Sequence, residues 1–364
     1  MRSPNKRAYD NAYYELERRF LQLVDDVQVW NSLRGVRFSR EFYDFYRKEI
    51  CPYWKRFGVK PKLSRVKQTY SLSGRLDVRY IPDDIHNLYI VPHFDRNMYV
   101  RPMADKNLHG LLLPGVKRPE TVFKHLDGYD TDDDFTPISR TEALDRCGTP
   151  GKYILKPTVD TGMGQDIAFF RGEDGPEAIG RLLSSFDAVE YIVQKVVRQH
   201  PSLARFNESS MNTTRIVTLF FRGEPHILSS ILRVGAPGNE VDNVSQGGYQ
   251  CTIRPDGTLE RYAYTFQHKK HEFVEETADG VRFEGAVIPS WDALRDTALR
   301  LCAHMPHLKY IGWDLGVDEA GDVVLVELNS QIGQNQATCG PTFGDMTDEV
   351  LSEVFADRMK RRAH

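Results

Sequence analysis

Apolar residues fall into helical spacing at the two ends of this chain and into alternation or short continuous runs between them. Tyr13, Leu16, Phe20, Leu23 and Val27 recur at helical intervals, and a second aromatic-rich stretch runs from Phe38 to Trp54. The spacing predicts helices over 8–57 whose aromatic stripe faces a core. Leu88 to Val91 is a short apolar run consistent with a strand between Pro82, Pro92 and Pro102, and Asp105 stands as the N-cap of a following helix. The acidic stretch 127–134 reads as a loop.

The middle of the chain is strand-rich. Lys152 to Lys156 and Ile167 to Phe170 are apolar runs on either side of a glycine segment, Thr158 to Gln165, that holds Gly162 and Gly164. A helix is predicted over 176–186, then a strand from Tyr191 to Val197. Asn212 to Phe221 and Ile227 to Val234 form two long strands about a turn at 222–225, and a hairpin over 249–264 turns at Pro255 to Gly257. Ser290 is placed to cap a helix over 291–305 with Leu294, Ala298, Leu301 and Cys302 on one face. A last helix is predicted over 348–362.

Before that helix comes the stretch that concentrates the chemistry. Trp313 to Val317 and Val323 to Leu328 alternate about the turn signal Asp318 to Gly321. With a two-residue loop Asp314 lies opposite Glu327; with a four-residue loop it faces Leu325, whose side chain shares a face with Glu327. Either register puts both carboxylates on one side, and Asn329 joins them because strand side chains alternate. Two carboxylates and an amide oxygen form the oxygen set that Mg²⁺ takes alongside phosphate oxygens, although the wet side of any amphipathic hairpin carries similar residues.

Other residues point toward an anion. Gly162 and Gly164 free the backbone to bend over a ligand, and Lys156 at the adjoining strand end supplies a point charge. No Walker A or GxGxxG pattern accompanies them. Arg215 and Arg233 sit in apolar strands and need partners, either carboxylates or a phosphate. The polar loop 240–248 lies where a substrate would be gripped.

Bulk properties narrow the class. At 364 residues, 40% hydrophobic and 27% charged, the chain has the size of two or three lobes and the make-up of a globular protein. Its 48 basic and 51 acidic residues leave a net charge of -3 and no reason to expect a nucleic-acid partner. The five cysteines, scattered and without CxxC spacing, suggest neither a disulfide framework nor a zinc site and fit a reducing, cytoplasmic setting. No secretory leader and no apolar run long enough to span a membrane are apparent in the sequence. The basic run from Lys55 to Lys67 reads as a solvated face.

The order of these parts, with Asp105 to Asn107, Tyr191 to Gln194, Gln199-His200, Asn212-Thr213, Leu232-Arg233, Val241 to Asn243, Gly247-Gly248, Gly312 to Asp314 and Glu327 to Asn329, resembles the ATP-grasp superfamily, most closely its sugar-transfer-associated branch. The resemblance implies an α+β fold of two lobes clasping ATP: a small lobe over 104–206, a central lobe over 207–348, a mainly helical N-terminal region over 1–103 and a C-terminal helix over 349–364. It implies that Lys106 and Lys156 touch phosphates, that Gly162 and Gly164 belong to a lid, and that Gln194, Lys195, Val196 and Val197 face adenine. Asp314, Glu327 and Asn329 would bind Mg²⁺, Arg215 and Arg233 would serve catalysis, and Asp242, Asn243, Gly247 and Gly248 would meet substrate. The chemistry so implied is ligation of a carboxylate to an amine through an acyl phosphate, on a small-molecule or glycan precursor. A kinase on the same scaffold, or nucleotide binding without turnover, are the alternatives. Relatives that ligate peptides commonly carry an arginine where this chain has Gly312, which leaves Arg233 to steady the intermediate.

Overall fold

The protein is seen in a computed structural model that describes residues 5–95, 97–158, 167–242, 246–267, 270–330 and 332–363. It divides into two compact units. Unit 1 comprises Met1–Asn97, His307–Tyr310 and Gln331–His364; unit 2 comprises Met98–Pro306 and Ile311–Ser330. No helix among the described residues is long and apolar enough to cross a membrane.

Unit 1 is helical. Its longest element, α1 (Asn5–Ser32), follows the expected period, but Leu16, Phe20, Leu23 and Val27 are exposed instead of buried. The opposite side carries the packing: Gln22 and Val29 are buried, and Asp26 accepts from Arg65 and Lys62. Spacing had shown the stripe but not which side faces inward. Arg65, expected on a solvated face, is fully buried with Asp25 and Asp26 at 2.6 and 2.5 Å. The apolar run from Leu88 to Val91 is helical, within a continuous path from Asp83 to Phe94. Four apolar residues do not distinguish strand from helix. In that path a π-turn, His86–Ile90, precedes Pro92, and another, Tyr46–Ile50, precedes Pro52. A widened turn accommodates a ring that has no N-H to give to the ladder. The last helix is broken at Phe355 into Thr347–Val354 and Ala356–Ala363.

Unit 2 is built on two antiparallel sheets. The first contains β1 (Thr121–Leu126), β2 (Tyr129–Thr131), β3 (Pro137–Ile138), β4 (Lys152–Pro157), β5 (Ala168–Arg171) and β6 (Tyr191–Lys195), in the order β3-β2-β1-β6-β4-β5. The acidic stretch read as a loop therefore contains a strand, reached through a turn with Asp127 and Gly128 at positive φ. Helices α2 (Arg140–Cys147) and α3 (Pro176–Ser185) contribute Ala143, Cys147, Ile179 and Leu183 to a core shared with Phe123, Tyr153, Leu155, Tyr191 and Val193.

The second sheet contains β7 (Thr214–Phe221), β8 (Glu224–Val234), β9 (Tyr249–Ile253), β10 (Leu259–Gln267), β11 (Lys270–Val274), β12 (Tyr310–Val317) and β13 (Val323–Asn329), in the order β11-β10-β9-β8-β7-β12-β13. Helix α4 (Trp291–His304) packs on β7 and β8, burying Leu294, Ala298, Leu301 and Cys302. Ser290 precedes α4 but does not cap it. Its backbone is left-handed, and its hydroxyl donates to the Gly321 carbonyl at 2.7 Å.

Candidate functional site

The hairpin of β12 and β13 turns through three residues, Glu319 to Gly321, inside a bond from the Asp318 amide to the Asp322 carbonyl of 3.0 Å. This is neither of the loop lengths expected from sequence. Carried on unbroken, the register pairing Val317 with Val323 and Leu315 with Leu325 would set Asp314 against Val326. A bulge shifts it by one, so that Asp314 lies opposite Glu327 and Gly312 opposite Asn329. One extra residue thus decides which side chains share a face.

Asp314 is buried and saturated with donors. Arg215 holds it in two-pronged fashion at 2.7 and 2.6 Å, Arg233 donates at 3.0 Å, and the Asn329 amide nitrogen at 3.0 Å. Burial alone would raise the Asp314 pKa, but Arg215 and Arg233 outweigh it and hold the carboxyl below its ordinary range. The two arginines reach one carboxylate because Arg215 on β7 faces Ile231 on β8, two residues from Arg233, which makes them diagonal neighbours. Arg233 also meets Asp242 at 3.3 Å, and the hydroxyl of Thr213 donates to Asp242.

Two lysines from the other sheet's side complete the cluster. Asp105 accepts from the Asn107 amide at 2.9 Å and so opens the short turn that carries Lys106, whose Nζ lies 3.0 Å from Glu327. The Lys106 amide bonds the Thr158 carbonyl at 3.2 Å, tying that turn to the end of β4. Lys156, on β4, is buried; desolvation pulls its pKa down to about 8, with Glu327 opposing and Lys106 adding to the shift. His109 is buried nearby, its Nε2 donating to the Met103 carbonyl at 3.0 Å, and burial pushes its pKa down to about 4, so it is neutral.

The structure therefore brings Lys106, Lys156, Arg215, Arg233, Asp242, Asp314, Glu327 and Asn329 into one electrostatic cluster. Four cations meet three carboxylates, which leaves room for a further anion. Gln194 is buried on β6 opposite Ile154, and its Oε1 has no partner. The Lys195 and Val196 amides are committed to the Glu120 and Lys152 carbonyls at 2.9 Å each, while the Lys195 ammonium pairs with Glu120. Gly247 and Gly248 stand at the entry to β9, where the Gly248 carbonyl accepts from Thr265 at 2.8 Å. Gly162, Gly164 and Asn243 lie outside the described residues.

Sequence reasoning missed His109 and named Thr213 only as a bearer of the resemblance, without its partner Asp242. His109 stands three residues after Lys106, one turn along, and Thr213 precedes β7; neither spacing signals its partner. It named Gln199 and Asn212 in the resemblance but not the hydrogen-bonded scaffold they form with Asn207 behind Asp242. Asn207 donates to the Ser210 hydroxyl and the Ala236 carbonyl, Gln199 bonds the Asn207 and Ser210 carbonyls, and Asn212 bonds the Leu203 and Asn207 carbonyls.

The family model for sugar-transfer associated ATP-grasp proteins matches residues 89–339, and the chain belongs to that family. Its fold is accordingly the ATP-grasp fold, joined to an N-terminal helical region. Among solved structures, it is similar to the ATP-grasp ligase PsnB complexed with minimal precursor, at 15% identity over 73% of this chain and 64% of that one, with a TM-score of 0.37. It is also similar to D-alanyl-alanine synthetase A from Vibrio cholerae O1 biovar eltor str. N16961, at 13% identity over 71% and 66% of the two chains and a TM-score of 0.42. The D-alanine–D-alanine ligase from Bacillus anthracis gives 17% identity, 71% and 68% coverage and a TM-score of 0.38. The chain spans less than two thirds of the first two. No curated protein matches it.

Proposed function

We propose that this chain is an ATP- and Mg²⁺-dependent ligase that joins a carboxylate to an amine through an acyl phosphate, on a polysaccharide or secondary-metabolite precursor in the cytoplasm. The observation that carries the reading is the cation-rich cluster with two separate grips: lysines 106 and 156 beside Glu327, and arginines 215 and 233 on Asp314. Phosphoryl and acyl transfer need positioning and neutralised charge more than a protein nucleophile. The lysines are assigned to the nucleotide's phosphates and the arginines to the γ-phosphate and the acyl phosphate.

No group of three or more His, Cys, Asp or Glu side chains able to hold a metal stands among the described residues, so a metal in this reading rests on Glu327 and on Asp314 exchanging donors from Arg215, Arg233 and Asn329 for the ion. Glu327 is partly open, Asp314 stands opposite it, and the orphaned Oε1 of Gln194 is a buried acceptor suited to an amino group of adenine. Glu327, Asp314 and Asn329 would hold the ion, with the Asn329 amide turned to present its oxygen. Bound there, magnesium would screen the phosphate oxygens from the incoming carboxylate. In the remainder of this reading Gln194 to Val197 line adenine, Gly162 and Gly164 form the lid, and Asp242, Asn243, Gly247 and Gly248 meet substrate. The nucleotide side of the site is then 104–206 and the metal side 207–348.

A substrate carboxylate oxygen attacks the γ-phosphorus and ADP leaves. The amine nitrogen then attacks the acyl carbon, inorganic phosphate leaves, and the nitrogen gives up its proton. Arg215 and Arg233 hold the oxyanion charge in both steps.

The test is a screen of acids and amines with ATP, magnesium and hydroxylamine. Ligation releases inorganic phosphate and traps a hydroxamate. ADP with a phosphorylated product and no free phosphate would make the protein a kinase instead; ATP binding with neither product would make it a nucleotide-binding protein without turnover.

A further inference from the structure

The exposed side of α1 has a regularity that a lone surface helix does not need. Leu16, Phe20, Leu23, Val27 and Trp30 are each 59–68% exposed. Their intervals are four, three, four and three residues, the 3.5-residue repeat of a seam that packs against another helix. The stripe lies on the side away from Gln22, Val29 and Asp26, with which α1 is fixed to unit 1. Val24 flanks it, and Leu21 falls outside it. Because unit 1 already holds α1 in helical form, the cost of ordering so short a seam is met before association.

We propose that α1 is a self-association surface, and that its occupant is α1 of a second copy of this chain, antiparallel about a two-fold axis between positions 21 and 22. In that arrangement Phe20 packs on Leu23 of the second copy and Leu16 on Val27, so each layer sets a larger side chain against a smaller one. A parallel pair would stack Phe20 on Phe20 and Trp30 on Trp30. The stripe leaves on the order of 600 Å² of apolar surface per chain, the upper end of what monomers leave bare, and the pair would bury roughly 1,200 Å², the lower end of specific interfaces. A lipid surface fits less well: Asp25 and Asp26 are taken up by Arg65, and the charges left beside the stripe between Leu16 and Trp30 are Glu17, Arg18 and Arg19, with no lysine, where a membrane-lying helix carries a Lys- and Arg-rich border.

Sedimentation equilibrium of the full chain across the micromolar range tests this. A dimer is expected, and Phe20→Glu with Leu23→Glu should weaken it by more than about tenfold with the far-ultraviolet circular dichroism unchanged, and with the melting temperature unchanged at concentrations where the parent is monomeric, since both side chains face solvent in the single chain. Phe20→Ser with Leu23→Ser is the milder pair if the charges disturb folding. Mixing Leu16→Cys and Val27→Cys chains should give a peptide crosslink between positions 16 and 27. A monomer throughout, a double variant that dimerises like the parent, or crosslinks only between like positions would overturn the antiparallel pair. So would a monomeric parent that binds phosphatidylglycerol vesicles through the same residues.

Discussion

Asp314 and Glu327 face each other across two strands, yet their surroundings assign them different work. Asp314 is buried under Arg215, Arg233 and Asn329, whereas Glu327 is partly open and meets Lys106. Asp314→Asn leaves two arginines without their shared countercharge, and breaking a buried pair in this way costs about 3–5 kcal/mol. Glu327→Gln removes one half-exposed pair, worth about 0–1 kcal/mol, but also the more open candidate metal oxygen. We therefore expect Glu327→Gln to keep its urea midpoint and lose most turnover, and Asp314→Asn to lose both; normal turnover in the glutamine variant would remove Glu327 from the metal set. Lys156 gives a pH signature. With its pKa drawn down to about 8 by burial, it is charged at neutral pH and loses its proton as pH rises through 8. Nucleotide affinity should fall over that interval, and Lys156→Met should abolish the pH dependence in a calorimetric titration. The sign for stability is opposite. Between pH 8 and the ordinary lysine value the unfolded chain holds the extra proton, so this group's contribution to stability rises with pH there.

Among the elements, period was legible and side was not. Alternation in the hairpin carried Asp314, Glu327 and Asn329 from the sequence to one neighbourhood, but the bulge and the three-residue turn that set the register have no signature among Val323 to Leu328. The heptad-like spacing of α1 was equally plain, and its outward orientation depends on Arg65 and Val29, which the spacing cannot weigh. Loops were the least readable. Gly235 follows β8, and a Cβ there would stand 2.5 Å from the Ser210 hydroxyl, 2.7 Å from the Asn207 amide and 2.7 Å from the Val241 carbonyl. The atoms it would meet belong to the polar scaffold that positions Asp242, so they have little room to give. Gly235→Ala should cost about 1–3 kcal/mol by overpacking. It should also lower kcat through displacement of Asp242 and Arg233. Gly316→Ala is the control: its Cβ would meet the Met211 methyl, the free end of a flexible side chain, and should be tolerated better. Equal denaturation midpoints for the two variants would show that the loop can yield.

At the scale of the whole molecule, the order of the parts survived translation into structure because β4 to β10, β12 and β13 of unit 2 announce themselves by apolar runs, while β1, β2, β3 and β11, and the helical path of unit 1 from Asp83 to Phe94, did not. What the residues alone could not show is that Lys156 on β4 and Lys106 on the turn before β1 would meet Glu327 of the second sheet. That meeting makes nucleotide binding a stability question for unit 2 as a unit. A ligand that binds only the folded state at a hundred times its Kd stabilises by about 2.7 kcal/mol. If the lysines hold the phosphates and Glu327 with Asp314 holds magnesium, ATP with magnesium should raise the melting temperature of the full chain by several degrees, and ATP with a chelator by much less. Should unfolding occur in two calorimetric transitions, the one that moves is expected to belong to unit 2, because every assigned nucleotide and metal residue lies in Met98–Pro306 or Ile311–Ser330. Glu327→Gln should erase the magnesium-dependent part of the shift while leaving the part due to ATP alone. An equal shift with and without magnesium, or one confined to the transition of unit 1, would place nucleotide binding outside the cluster and end the assignment.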